Sequence, residues 1–395
     1  MKKLIMTGLF SASLVLAGSS SLLANGTSAP APAAEGLEIS GNVDVITGYQ
    51  HDHKNAGAVA GANVGGLGDV PGAAATVARR DAFLFDVDQV ELDLAKSFGE
   101  NIRLRADIDF SDFANTGSRA AGAALDLEQG YVTANLAAGN GIEFLIGKFN
   151  APVGIESVDR NDNWLISYSP NYRWLTPTNV TGAKIYYAFS DLINWHLAVV
   201  NDLNSNGFGD SAMPSVITQL NFNWGDEGKK NTVGIGGGGG PESQASVGGA
   251  SNNAHFDFYG DLDFVLALTD SINLAGEGTY RQSDSISGGA NQKALAGQLA
   301  LNYEASDVWD VTFRYGYEFD PNVAGARGGS GASTTGGNWN TGYEGSLHSA
   351  TLGTGYKIAD GAKMKLEYRF DYAMTSGASS NPSFHSAMAE FAYTF

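Results

Sequence analysis

The chain reads as an all-β protein, a transmembrane antiparallel β-barrel of about sixteen strands. Three observations predict this. Segments of roughly ten residues with period-2 hydrophobicity recur along the sequence, separated by Gly, Asn and Asp turns. The clearest of them carry charge at every second position. Beyond residue 24 there is no uninterrupted apolar run of the roughly 18 residues that a membrane helix needs. The last segment, 383–395, shows the pattern well: Ala387, Ala389, Phe391, Tyr393 and Phe395 alternate with Ser386, Met388, Glu390 and Thr394. Backbone groups in lipid find partners only inside a closed sheet, so one membrane strand implies closure of everything before it.

The N-terminal residues predict export. Met1, Lys2 and Lys3 form a positive start, residues 4–18 are apolar, and Ala24 offers a small residue for cleavage, so 1–24 reads as a signal peptide. Residues 25–36 (NGTSAPAPAAEG) read as a Pro/Ala-rich periplasmic linker and 37–395 as the barrel. The absence of Cys excludes a lipoprotein anchor, structural disulfides and thiolate metal sites. With 52 Gly, 16 Tyr and 20 Phe but only 10 Pro, the composition suits many strands joined by tight turns. Losing Lys2 and Lys3 takes the formal charge from -19 to -21, which argues against nucleic acid as a partner and favours attraction of cations. Solubility of long polar loops facing lipopolysaccharide accounts for the same charge equally well.

Sixteen strands are predicted: 37–50, 84–95, 102–112, 125–137, 142–149, 181–189, 192–201, 215–224, 231–239, 255–268, 271–284, 292–304, 308–320, 345–358, 362–375 and 383–395. Gaps after odd-numbered strands are mostly long, such as 51–83, 150–180 and 321–344. Those after even-numbered strands are tight, such as 98–101, 190–191 and 359–361. Short periplasmic turns alternating with long external loops orient the barrel, and an even count returns both termini to the periplasm. The protein is therefore expected in the bacterial outer membrane, with lipid and lipopolysaccharide around it.

Faces follow from the alternation. Ile102, Leu104, Ala106, Ile108 and Phe110 face lipid, while Arg103, Arg105, Asp107 and Asp109 face the lumen. Met364, Leu366, Tyr368, Phe370 and Tyr372 oppose Lys363, Lys365, Glu367, Arg369 and Asp371, and Val311, Phe313, Tyr315 and Tyr317 oppose Thr312, Arg314, Gly316 and Glu318. Alternate charges are costly in lipid, so these rows look into water. A soluble sandwich could bury the same apolar rows, but its outer faces would then be this heavily charged over sixteen strands. In the second strand Phe85 and Val87 are out of phase with Val90, Leu92 and Leu94, and a bulge near Asp88 reconciles them.

Residues 150–180 form a long gap with Trp164, Tyr168, Tyr172 and Trp174 and with Pro152, Pro170 and Pro177. Loops of this composition are usually packed against something. The run Gly147-Lys148-Phe149-Asn150-Ala151-Pro152-Val153-Gly154-Ile155-Glu156, followed by Pro177 and Gly182, resembles the G-K-F-x-x-P-x-G-x-E stretch of the OmpL-like β-barrel porins and, more distantly, of the phosphate-selective porins. The resemblance implies a water-filled channel for passive diffusion of small hydrophilic solutes, with this third external loop folded into the lumen. The terminal Phe395 resembles the signal by which the barrel-assembly machinery recognises outer-membrane strands, and trimers are common among the resembled porins, so a homotrimer is implied.

The loop carries Glu156, Asp159, Arg160, Asp162 and Arg173, and the predicted wall carries Arg103, Arg105, Asp107, Lys184, Arg314, Lys365 and Arg369. Carboxylates facing cations across a narrow place set up a transverse field that orients polar solutes and gives a mild cation preference. The same charges could simply pair the loop to the wall, and the sequence leaves both readings open. The phosphate-selective pattern is not matched, because no ladder of arginines runs down the predicted lumen.

Other constellations carry less. Asp202-x-Asn204-x-Asn206-Gly207-x-x-Asp210 matches half a calcium loop but has Met213 where a Glu belongs, so a plain external turn is the better reading. His51 and His53 lack a third placed ligand. The glycine run 234–240 lacks a following Lys-Ser/Thr and reads as a thin strand or loop. His385 and Ser386 are adjacent on a strand and point to opposite faces. No enzyme, cofactor or metal centre is expected. The rival to a porin is a non-conducting structural or adhesive barrel acting through its external loops.

Overall fold

A computed structural model of the chain describes residues 36–52, 81–110, 126–203, 213–225, 231–242, 255–285, 292–320, 345–375 and 383–395. The predicted signal peptide, nearly all of the linker, His53 and residues 204–212 of the half-matched calcium loop lie outside these residues.

Sixteen antiparallel strands close into one barrel, each paired with its sequence neighbours and β1 with β16. They are β1 (Leu37–Asp52), β2 (Asp81–Phe98), β3 (Ile102–Asp109), β4 (Asp126–Leu136), β5 (Ile142–Asn150) and β6 (Asn179–Ala188). These are followed by β7 (Ile193–Val200), β8 (Ser215–Trp224), β9 (Asn231–Glu242), β10 (His255–Ala267) and β11 (Ile272–Ser285). The last five are β12 (Gln292–Ser306), β13 (Trp309–Asp320), β14 (Gly345–Ala359), β15 (Ala362–Thr375) and β16 (Ser383–Thr394). Closure leaves no unpaired edge, as a sheet in lipid requires.

The alternation of the sequence becomes the two faces of the wall. Phe313, Tyr315, Leu366, Tyr368 and Phe391 stand exposed on the outside, while Thr312, Arg314, Lys365, Glu367 and Glu390 are buried on the inward rows. Tight turns such as 99–101 and 360–361 lie at the end where β1 begins and β16 finishes, because Leu37 pairs with Lys96 and Ala362 with Tyr393. Outward aromatics gather at that rim, among them Phe98, Phe189, Trp224, Trp309, Tyr356, Tyr393 and Phe395. Amphipathic rings favour the interface between hydrocarbon and water. Trp309 also donates through Nε1 to Thr354 Oγ1 at 2.6 Å, so its polar atom is satisfied.

Register shifts occur in four strand pairs, two of them next to tight turns, at Ala305 of β12 and Ile358 of β14, and two within the wall. In β2, Val45 pairs with Val87 and Asp44 with Gln89, so Asp88 is the extra residue of a bulge, where the phase break in the sequence predicts it. In β4, Asp107 pairs with Gln129 and Ile108 with Leu127, which makes Glu128 a second bulge residue. The glycine run 234–240 is strand throughout, paired with β8 and β10. Gly236 and Gly240 sit where any side chain would strike neighbouring groups: an added Cβ would meet Gln219 Oε1 at 1.9 Å and Ser215 Oγ at 2.2 Å.

Closure at β1 and β16 is tight. Gly41 and Phe395 exchange backbone hydrogen bonds at 3.2 and 3.0 Å, and a Cβ on Gly41 would lie 2.2 Å from the Glu91 carbonyl oxygen and 3.0 Å from the Phe395 ring. Gly41→Val should therefore lower the fraction of heat-resistant, fast-migrating barrel on unboiled gels. Wild-type yield of that form would show that the seam tolerates the displacement.

Candidate functional site

The segment between β5 and β6, residues 151–178, is held at its base by the Ala151 amide donating to the Thr178 carbonyl at 2.6 Å. Two short turns stiffen it, a 3-10 turn at Arg160–Asp162 and a π-helical turn at Asn171–Leu175 that starts after Pro170. Its apolar groups are divided among separate parts of the wall. Ala151 and Val153 pack with Val180, Ala198, Ile217 and Tyr259 on β6, β7, β8 and β10. Ile155 packs with Val265 and Ala275 on β10 and β11, and Leu175 with Ala294 and Ala296 on β12.

Polar contacts continue around the barrel to the strands opposite. On β11 and β12, Arg281 Nη1 donates to the Leu175 carbonyl at 3.0 Å, Asn171 Nδ2 to Thr279 Oγ1 at 3.0 Å, and Gln298 Nε2 to Glu156 Oε2 at 3.0 Å. On β15, Glu367 accepts from the Ile166 and Ser167 amides at 2.6 and 3.1 Å, and Arg369 Nη1 donates to the Tyr168 carbonyl at 2.8 Å. On β2, Gln89 Nε2 donates to Asp159 Oδ1 at 2.9 Å. All these wall residues belong to inward rows, so the segment bonds to inward-facing groups on many strands of the cylinder.

Glycines on the inner wall make room for it. A Cβ on Gly316 of β13 would lie 2.7 Å from Pro170 Cδ, and one on Gly353 of β14 would lie 2.4 Å from Leu165 Cδ2. On the segment itself, Gly154 has φ +83°, the left-handed region that glycine enters without strain.

The predicted charges fall into two groups. Glu156 pairs with Arg314 at 2.8 Å and Arg160 with Asp88 at 2.6 Å, and all four side chains are nearly enclosed. Arg160 also donates to the Ile166 carbonyl and its guanidinium lies 4.6 Å from the Tyr168 ring centre. Lys365 reaches Glu390 and the Arg160 carbonyl, both at 2.9 Å, Arg369 pairs with Asp371 at 3.0 Å, and Lys184 is buried over the Phe149 ring. These groups tie segment to wall or wall to wall. Arg173 is half-buried with its guanidinium 5.4 Å from the Trp174 ring centre.

The second group keeps contact with solvent, except for the enclosed Asp107. Arg103 pairs with Glu38 at 2.7 Å, and Arg105 with Asp107 at 2.7 Å and Asp93 at 3.6 Å. Asp162 is half-buried; burial first, then the neighbouring Asp159, pushes its carboxyl up to about 6, against the pull of Lys365 and Lys363. Asp159 is raised as well, by burial and by Asp109 and Asp93, although its hydrogen bond from Gln89 works the other way.

Sequence reasoning missed several of the anchors. In the sequence Asp88 marks only a bulge, and Gln89, Thr279, Arg281 and Gln298 carry no motif. Their signal was available in part: Arg281 is a charge in the inward phase of β11. Also unassigned were Glu91 and Glu128, which with Asp93, Asp107 and Asp109 line the inward faces of β2, β3 and β4.

A closed sixteen-stranded barrel with an apolar outer belt, a charged inner wall and hairpins at one rim defines a bacterial outer-membrane β-barrel of the porin class. The chain belongs to the OmpL-like β-barrel porin-2 family, whose model matches residues 36–395. It is similar in structure to the outer-membrane channel DcaP of Acinetobacter baumannii, with TM-score 0.59 and 14% identity over 92% of this chain and 100% of that one. It is also similar to the anion-selective porin from Comamonas acidovorans, with TM-score 0.56 and 13% identity over 91% and 99% of the two chains. OprB of Pseudomonas putida gives TM-score 0.55 and 11% identity over 91% and 94%. At such identities the likeness is one of fold. No curated protein matches the sequence.

Filling both glycine sockets should push residues 151–178 off this part of the wall. Gly316→Leu combined with Gly353→Leu is expected to speed trypsin cleavage after Arg160 and Arg173 in the folded barrel, and unchanged cleavage would mean that other contacts hold the segment alone. Arg314→Met leaves Glu156 buried without its cation, a loss of about 3–5 kcal/mol for a buried pair. The thermal transition of the folded barrel should fall accordingly.

Proposed function

We propose that the barrel is a water-filled channel for passive diffusion of small hydrophilic solutes and ions, narrowed by residues 151–178 and mildly cation-preferring. The observation that carries this reading is the set of charges of both signs left water-facing on the inward rows. Asp93, Arg103, Arg105, Asp310 and Lys363 each keep between 20% and 36% of their side chains exposed, and Asp162 is half-buried near Asp93 and Lys363. Charged groups enclosed without water are costly, so exposed charge inside a barrel supports a wet passage beside the segment. Cation preference rests on the formal charge of -19 and on the carboxylates of β2–β4. The anion preference named for the Comamonas porin is not carried over, since this chain sets so many carboxylates along its inner wall.

In this reading Asp162 contributes to the field of the narrow place, while Glu156 and Arg160 hold the segment in position. The apolar outer belt meets lipid and lipopolysaccharide, and the strand ending at Phe395 serves the barrel-assembly machinery. A homotrimer is part of the proposal; OmpT of Vibrio cholerae is known in a trimer form.

Reversal potential across a planar bilayer in a salt gradient tests the channel. Cation preference is expected above pH 7, declining as pH falls through about 6, because the Asp162 carboxylate is charged above that value and neutral below it. Asp162→Asn should reduce the pH step with little change in conductance, since size is kept and only charge is removed. Deleting residues 159–169 should raise single-channel conductance and flatten ion preference. Silence in the bilayer would instead support a structural or adhesive barrel, and a deletion without effect would place the narrowing elsewhere.

A further inference from the structure

Among the described residues, the inward faces of β2, β3 and β4 hold more carboxylates than cations paired with them. Glu91, Asp93, Asp107, Asp109 and Glu128 form two overlapping triads, Glu91–Asp93–Asp107 and Glu91–Asp109–Glu128, and within each triad one oxygen from every residue lies within 4.8 Å of the others. The first triad has a counter-ion: Arg105 reaches Asp107 at 2.7 Å and Asp93 at 3.6 Å. The second receives only neutral donors among the described residues. Asn42 Nδ2 donates to Glu91 at 2.5 Å, and Gln89 Nε2 donates to Asp109 at 3.0 Å and to Asp159 of the segment at 2.9 Å.

Glu128 is the distinctive member. The β4 bulge turns it inward next to Gln129, instead of outward as simple alternation would. It is 3% exposed, and neither carboxylate oxygen accepts a hydrogen bond. Asn42, which donates to Glu91, likewise keeps its amide oxygen buried at 4% exposure with no donor to it. Unsatisfied oxygens at this depth are costly, and a buried carboxylate in contact with two others is more so.

We propose that Glu91, Asp109 and Glu128 bind a divalent calcium-like cation on the inner wall. Two oxygens that share a calcium ion at about 2.4 Å lie no more than about 4.8 Å apart, the spacing found in the triad. The donors are all hard oxygens, three carboxylates with the Asn42 amide beside them, and no His or Cys is among them. Asp159, drawn to the same place by Gln89, links the segment to the ion. The cation would then offset the acidic wall and fasten residues 151–178 to β2–β4. The site stands on its own geometry and does not depend on whether the barrel conducts.

Calorimetric titration of the folded, chelator-treated barrel with calcium chloride tests this directly. One ion per barrel is expected at this site, with a dissociation constant on the order of 10⁻⁴ M, in the range of weak oxygen-ligand sites. Glu128→Gln and Asp109→Asn should each weaken binding at least tenfold, and calcium should raise the thermal transition of the wild type but not of the variants. Heat-resistant gel migration establishes that each variant is folded, and Asp109→Asn decides the matter if Glu128→Gln does not fold. Absence of calcium binding by the folded wild type overturns the proposal. So does binding that survives both substitutions, which would place the ion elsewhere.

Discussion

Everything in this molecule depends on the need of backbone amides and carbonyls in hydrocarbon for partners within the protein. Helices meet that need alone; strands meet it only by closing. Once β1 pairs with β16 through Asn42–Thr394 and the Gly41–Phe395 exchange, each strand has two neighbours and the alternation of side chains has a physical meaning. Outward positions must be apolar because they meet lipid. Inward positions are released from that demand and take charge in a density that few soluble cores would tolerate.

The segment between β5 and β6 uses that freedom. Its backbone lacks the ladder that satisfies a strand, so its amides and carbonyls find side chains of the wall: Glu367 takes two amides, and Arg281, Arg369 and Lys365 each give to a carbonyl. Inward charge on distant strands is thus structural as well as electrostatic. The Arg and Lys side chains that tie the segment have their donors engaged by it, whereas Asp162, Arg103 and Arg105 keep contact with solvent. Of the two alternatives that the sequence leaves, pairing of loop to wall accounts for Glu156, Arg160 and Lys365, and the proposed field would rest on other residues.

The fold was legible because lipid imposes a pattern of two and the chain follows it. Strand positions could be read within a few residues, and the misfit between Val87 and Val90 located the Asp88 bulge. The Glu128 bulge left a fainter trace. Leu127 and Val132 both face outward although they stand five positions apart, which demands an extra residue, but Gly130 between them has no side chain to betray the phase. The partners of the segment were less legible still. Which inward residue meets Glu156 or Arg160 depends on how residues 151–178 turn back in space, and no periodicity encodes that. Glu156 reaches across 158 residues of sequence to Arg314.

The glycine-rich stretch of β9 has a consequence for how the barrel is put together. A strand with side chains carries its own instruction about which residues face lipid, because a slip by one residue exchanges the faces. Residues 236–240 carry no such instruction, since sliding bare backbone past β8 or β10 exchanges nothing. Alignment there must be imposed from the ends, by Val233 and Ile235 on one side and Pro241, which has no amide to donate, on the other. Glycine also surrenders more chain entropy on ordering than any other residue. The register of β9 is therefore set by what lies at its two ends and not along its middle.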